Sequence, residues 1–199
     1  MVAKKTAVAV EQIEIPRIEI ERFDIPVIGD SSLIMHKWSE KAKKEMLDKQ
    51  MKVAKGGREA KDPERDYQEC IYYDADGSYA FPSVAFKNAA VSACRFTDGT
   101  KMTVARGAFH VEGEFVKIQA TPVPREDMVR VGMGTADIRY RAEFPNWKAV
   151  IRVSYNKRAL SKEQIVNLFN LAGFGVGVGE WRPEKNGSFG RFHVGTEGE

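Results

Sequence analysis

Between Ala172 and Gly195 the chain reads AGFGVGVGEWRPEKNGSFGRFHVG, in which cations, flat rings and glycines are interleaved. Arg182, Lys185 and Arg191 carry charge suited to phosphate oxygens, and the Asn186 amide adds hydrogen-bonding capacity at phosphate and sugar. Trp181 and Phe189 offer ring faces on which bases stack. Six glycines, at 173, 175, 177, 179, 187 and 190, allow positive φ and close approach of backbone to a ligand. This set of residue types points to recognition of a nucleic-acid backbone. The plain alternative is a glycine-rich turn, with Asn186-Gly187 as a hairpin signal and the two rings packed in the core. Phe192 alternates inward on the following strand and reads as core.

Other groups with chemistry are scattered. Lys87 falls in the first turns of a helix, where the dipole favours phosphate. His36 and Lys37 close a turn at the root of a charged segment. Lys41, Lys43, Lys44, Lys49 and Lys52 read as a solvated face. Asp30, Asp66, Asp74 and Asp76 are the candidate catalytic carboxylates, but no histidine stands beside them in sequence and no metal-ligand spacing occurs. Cys70 and Cys94 are the only cysteines and are expected to stay reduced. No catalytic residue, metal or cofactor is expected.

The elements that must position these groups follow from periodicity. Residues 1–10 read as a loose tail. Residues 11–28 alternate as a strand, with Pro16 and Pro26 at breaks or edges, and Gly29-Asp30-Ser31 is a turn. Ser39 to Val53 is helix-prone with a thin apolar stripe, hence a surface helix. Residues 54–66 read as a flexible loop, so that 39–66 forms an inserted, charged arm within one domain spanning 11–199. Residues 72–77 are a turn. Ser83 is the expected N-cap of a helix bearing Val84, Ala85, Ala89, Ala90, Ala93 and Cys94 at helical spacing. Short strands are expected over 102–120, a hairpin over 128–141 with its bend near 132–135, and a central strand over 146–155. Ser161 and Gln164 form a capping box for the last helix, and Gly173 is its expected terminator. The order predicts an α+β fold: a ferredoxin-like, RRM-like antiparallel sheet with helices on one face.

Composition is that of an ordinary globular chain, 43% hydrophobic and 30% charged, with a net charge of only +3. Distribution matters more: ten Lys/Arg against six Asp/Glu from Lys37 to Arg65, and twelve against seven from Arg125 to Arg191. Clusters of this kind make a positive patch. No apolar run is long enough for a membrane span, no secretory signal is apparent, and a cytoplasmic location is expected.

Three segments carry a family resemblance: IPVIGDSSLIMHKW, AFPSVAFKNAAVSACRF and the glycine-rich ending NGSFGRFHV. In that order they resemble the RAMP superfamily (repeat-associated mysterious proteins) of CRISPR systems, specifically its RNA-binding backbone subunits, which polymerise along guide RNA. The second segment is similar to the family's Pro-x-Ser-x-Phe/Leu-Lys-Gly-x-x-Arg element, with Asn88 where glycine is usual, and the family's matching lysine, here Lys87, faces the RNA backbone. The resemblance implies a non-enzymatic subunit of an antiviral defence complex. It would assemble head to tail into a filament along single-stranded RNA, or DNA, in contact with other effector subunits and without a membrane. Two rivals remain on the residues alone: a RAMP-fold endoribonuclease, and a viral assembly or decoy protein that binds CRISPR subunits.

Overall fold

In the computed structural model, which describes residues 15–53, 60–132 and 134–196, the strand β1 (Ile20–Gly29) leads through the Asp30–Ser31 bend to β2 (Leu33–Met35). Two helices follow, α1 (Glu40–Gln50) and α2 (Pro63–Glu69). Next come β3 (Ala80–Pro82), α3 (Ser83–Ala93), α4 (Met102–Ala108), β4 (Phe109–Val111) and β5 (Phe115–Gln119). The long strands β6 (Val123–Val131), β7 (Thr135–Phe144) and β8 (Lys148–Asn156) precede α5 (Lys162–Gly175) and β9 (Phe192–Val194).

The main sheet runs β3-β5-β8-β1-β9, with β4 also on β8. Its pairings are antiparallel, and β8 aligns with β1 from Ile20↔Asn156 to Ile28↔Lys148. The segments β1, α3, β4/β5, β8, α5 and β9 are the six parts of a β-α-β-β-α-β unit, so the expected ferredoxin-like fold is the one observed. A second sheet, β2-β7-β6, grows from the end of β1 as a projecting hairpin.

Alternation decides which face is buried. Ala149, Ile151, Val153 and Tyr155 of β8, with Ile25 and Val27 of β1, are buried, while Lys148, Val150 and Arg152 are exposed. Onto the buried face pack Phe86, Ala89, Ala90 and Ala93 of α3 and Ile165, Leu168, Phe169 and Ala172 of α5. The small residues of α3 let it lie close, as the sequence suggests. Trp147 fills the junction, against the Phe86 and Phe192 rings, and its indole N–H donates to the Ser31 carbonyl at 2.9 Å.

Several local expectations change. Ser83 does not cap α3; it is the first helical residue, and its hydroxyl instead donates to the Gly113 carbonyl at 2.6 Å, tying the helix start to the β4–β5 turn. Val84 is exposed, because Phe86 takes the buried position. Residues 102–108 are helical rather than extended, burying Ala105 and Ala108 on one side. Pro26 does not break β1, which runs through it; β9 pairs with β1 only from Val27 onward. Residues 63–69 form a helix, started by an Asp62 carboxylate that accepts from the Arg65 N–H and by Pro63 in the first turn; residues 54–59 and 1–14 lie outside the described set. The capping box of α5 is present, but α5 runs past Gly173 to Gly175, burying Val176 beyond it. At Gly173 a Cβ would sit 1.8 Å from the Phe192 carbonyl oxygen, so the residue serves close helix–strand packing, not helix termination.

Gly190 tests the packing directly. Its φ is +64°, and a Cβ there would lie 1.7 Å from the Val178 carbonyl oxygen. Gly190→Ala adds left-handed strain to a backbone clash and should cost about 2–5 kcal/mol. Gly77→Ala, at φ +80° with open space around it, should cost only about 1–2 kcal/mol. Denaturant midpoints of the two variants measure the difference; equal losses would contradict the packing.

Candidate nucleic-acid interface

The glycine-rich segment is a folded platform. The Val178 N–H donates to Gly190 O, Glu180 N–H to Ile34 O, Gly190 N–H to Ser32 O and Asp30 N–H to Arg191 O, all within 3.0 Å. These bonds stitch the segment to itself and to the β1–β2 turn. The expected close approach of glycine backbone is therefore to the protein's own carbonyls. A short helical turn, Pro183–Lys185, projects Lys185 and Asn186 outward; Asn186 holds a left-handed φ of 59°. Trp181 also has positive φ, 53°, an outlier for so bulky a residue and a strain that only surrounding structure sustains.

The expected cations differ in how free they are. The Arg182 guanidinium is held by the Glu184 carboxylate at 2.9 Å and by the Gly179 carbonyl, and Glu184 also takes Arg95. Its charge is balanced inside the loop. Lys185 is exposed with no side-chain partner among the described residues. Arg191 is half-buried and reaches only the Ser188 carbonyl, with no carboxylate partner among the described residues. Lys37 is half-buried, its backbone N–H bonded to Cys70 O. Lys87 stands apart: its ammonium lies 2.9 Å from His110 Nδ1 on β4, not against the loop, and burial lowers its pKa.

The rings meet partners that sequence reasoning missed. Arg125 lies over Phe189 at 4.8 Å and Arg141 over Trp181 at 5.7 Å, attractive cation–π contacts. Both arginines come from the β6–β7 hairpin, where they face each other in register. Arg141 is 3% exposed; Asp127 at 2.9 Å and Glu180 at 3.7 Å balance it, and its Nε has no hydrogen-bond partner. Trp181 keeps 40% of its surface open, while Phe189 is half-buried. The alternation of Arg139, Arg141 and Glu143 was visible in the sequence, but nothing there tied that strand face to Trp181.

Beside this platform runs an open groove of about 360 Å³ between α3, β2 and the glycine-rich segment. His36 and Arg182 line it, along with Asn88, Glu180 and Tyr72. Desolvation first, then the Arg141 charge, push the His36 imidazole below its ordinary pKa, with Glu180 opposing.

The candidate carboxylates separate. Asp76 pairs with Lys117, which with hydrogen bonds from Ser78 holds its pKa down to about 2, and Asp74 lies 3.9 Å from the same ammonium. Asp66 lies on α2. Asp30 acquires the histidine neighbour that the sequence hid: His193 Nδ1 is 2.6 Å from its carboxylate, because β9 pairs beside the end of β1. Among the described residues no cluster of three or more potential metal ligands occurs, and no helix is long and apolar enough to cross a membrane.

No family model matches the chain, and no curated protein matches it. Solved structures do. One is a chain in the cryo-EM structure of the Type III-B Cmr-beta complex bound to cognate target RNA, with a TM-score of 0.51 and 10% identity over 89% of this chain. This chain spans 59% of that one. Another is Cmr6 from Pyrococcus furiosus, with a TM-score of 0.48, 11% identity, and coverage of 90% of this chain and all of that one. At such identities the likeness to the Cmr-beta chain establishes a shared fold.

The His36 environment sets a pH dependence. A folded-state pKa below the unfolded value means that the unfolded chain binds the extra proton, so stability is present above the ordinary imidazole range and lost as pH falls through it. His36→Gln should remove that part of the loss. Its urea midpoint should fall less than the parent's between about pH 7.5 and about pH 5; parallel pH profiles would refute the assignment.

Proposed function

We propose that the protein is a non-catalytic RNA-binding subunit of a CRISPR-type effector complex, one that lies along single-stranded RNA and contacts further copies of itself. The observation that carries the reading is the preformed platform, which presents Lys185, Asn186 and the Trp181 ring outward while spending its own backbone donors internally. A ferredoxin-like frame shared with a chain of a complex bound to target RNA supports the same reading.

Lys185, Arg191 and Lys37 supply phosphate contacts, with Asn186 on phosphate or sugar and Trp181 stacking on a base. Arg182 organises the loop through Glu184. Phe189 supports the platform under Arg125, and His36 lies at the groove. Lys87, with His110, forms a separate contact further along the strand. Recognition through phosphate is tolerant of sequence and strongly dependent on salt.

The arm at 39–66 is assigned to contact between copies. The helix α1 has no buried residue; Met46 and Leu47 stand exposed on it, and Met51 just past its end. Two different faces meeting head to tail generate an open filament. A second reading, an endoribonuclease, draws on the Asp30–His193 pair; such an enzyme would cleave bound RNA, and Asp30→Asn would abolish the cleavage.

Two measurements test the proposal. Lys185→Ala and Arg191→Ala should each weaken binding of unrelated single strands alike and lower the salt slope by about 1. Unchanged binding in the double variant, with the fold intact by circular dichroism, would refute the platform as an RNA site. In native mass spectrometry over an oligonucleotide length series, the complex should gain protomers in regular steps, and deleting residues 42–63 should reduce cooperativity more than single-site affinity. One protomer per strand at every length would refute the filament.

A further inference from the structure

The groove beside the platform is the wrong place for a phosphate. Its charged lining consists of two carboxylates, Glu180 and Glu184, and one guanidinium, Arg182, which Glu184 already neutralises. Its walls mix polar and apolar surface about evenly, the apolar part including the Phe81 ring and Val178. The Glu180 side chain is 44% exposed, and among the described residues its ion pair is with Arg141 at a long 3.7 Å. Across the groove, on the exposed side of α3, stands Asn88. Ring and aliphatic surface beside convergent polar groups, at a volume near the lower end of the ~300–1,000 Å³ range, suits a small flat ligand with a polar edge.

From the juxtaposition of Glu180 and Asn88 across this groove we infer a base-reading subsite that accepts a single guanine from the bound strand. The inference rests on the RNA-binding reading and deepens it. In single strands the Watson–Crick edge of a base is open to side chains. A carboxylate accepts hydrogen bonds and donates none. Among the four bases guanine alone offers it two adjacent donors, N1–H and the N2 amino group. The Asn88 amide can donate to guanine O6. Uracil and adenine each present one donor beside an acceptor, which the carboxylate lone pairs repel. The platform cations hold the phosphates, and the groove adds a sequence preference to an otherwise tolerant interface.

The test uses the full chain and oligouridylate strands carrying one internal guanosine, inosine, adenosine or cytidine, at fixed salt. The guanosine strand should bind about 10- to 100-fold more tightly than the adenosine strand, the range given by a bidentate base contact. Inosine, lacking the N2 amino group, should fall between them. Glu180→Gln should erase the guanosine advantage and leave the salt slope unchanged. Asn88→Ala, a helix-surface change that favours folding, should reduce the advantage without touching Arg141. Free guanosine, which carries no phosphate, should shift the amide resonances of residues 177–180 in the parent and not in Glu180→Gln. Equal affinity for all four strands with a steep salt slope would overturn the subsite and leave RNA binding standing. Resonance shifts with guanosine but no salt-dependent strand binding would keep the subsite and overturn the backbone reading. Neither response would overturn both.

Discussion

The structure depends on how closely the backbone of residues 173–191 approaches the rest of the protein. Gly173 touches the Phe192 carbonyl and Gly190 the Val178 carbonyl at distances no side chain tolerates. These contacts bring the segment within hydrogen-bonding reach of Ser32 in the β1–β2 turn and Ile34 in β2. Every part of the candidate interface hangs from that junction: the Trp181 ring, the Lys185 turn, the Arg191 side chain and one wall of the groove. A platform ordered before its ligand arrives avoids the entropy cost of ordering on binding. The same economy removes its backbone N–H groups from the ligand, so side chains must carry the recognition.

Charge balance then sorts those side chains. Arginines that lie near carboxylates serve the protein: Arg182 with Glu184, Arg125 with Asp127 and Glu143, Arg141 with Asp127 and Glu180. A buried arginine requires such partners, because an unpaired charge in a low-dielectric site is costly. Arg125 and Arg141 also bond the hairpin to the platform through the Phe189 and Trp181 rings. Outside those pairs, the platform keeps Lys185 and Arg191 without a carboxylate partner among the described residues. The interface is local, and it abuts a groove whose own charge is negative.

The sequence revealed the frame better than the site. Hydrophobic alternation along β8, the capping box of α5 and the small residues of α3 are local signals, and each leads to the element observed. The failures share a cause in long-range contact. Ser83 has the residue type of an N-cap, yet its hydroxyl is drawn to Gly113, thirty positions away. Gly173 has the look of a helix terminator, but the neighbour that demands a glycine is Phe192. The charge of Arg182 was legible; its neutralisation by Glu184 depends on a turn geometry that spacing does not fix. Asp30 and His193 are 163 positions apart and meet only because β9 pairs with β1. Arg141 and Glu180 escaped notice for the same reason.

The arm poses the remaining physical question. An eleven-residue helix is marginal in water on its own, and most helical stability in proteins comes from packing. The helix α1 has its caps in order, with Ser39 accepting from the Ala42 N–H, Glu40 in the first turn and Lys49 in the last. Caps and dipole contacts of this sort contribute about 1 kcal/mol each. Against them, the helix buries none of its residues and exposes Met46 and Leu47, with Trp38 and Met51 open just beyond its two ends. Such a stripe is too narrow for a core helix and too apolar for a face with no other purpose. A helix of this kind gains packing energy only where something covers its apolar side chains. Order in α1 and burial of its apolar stripe would then be one equilibrium.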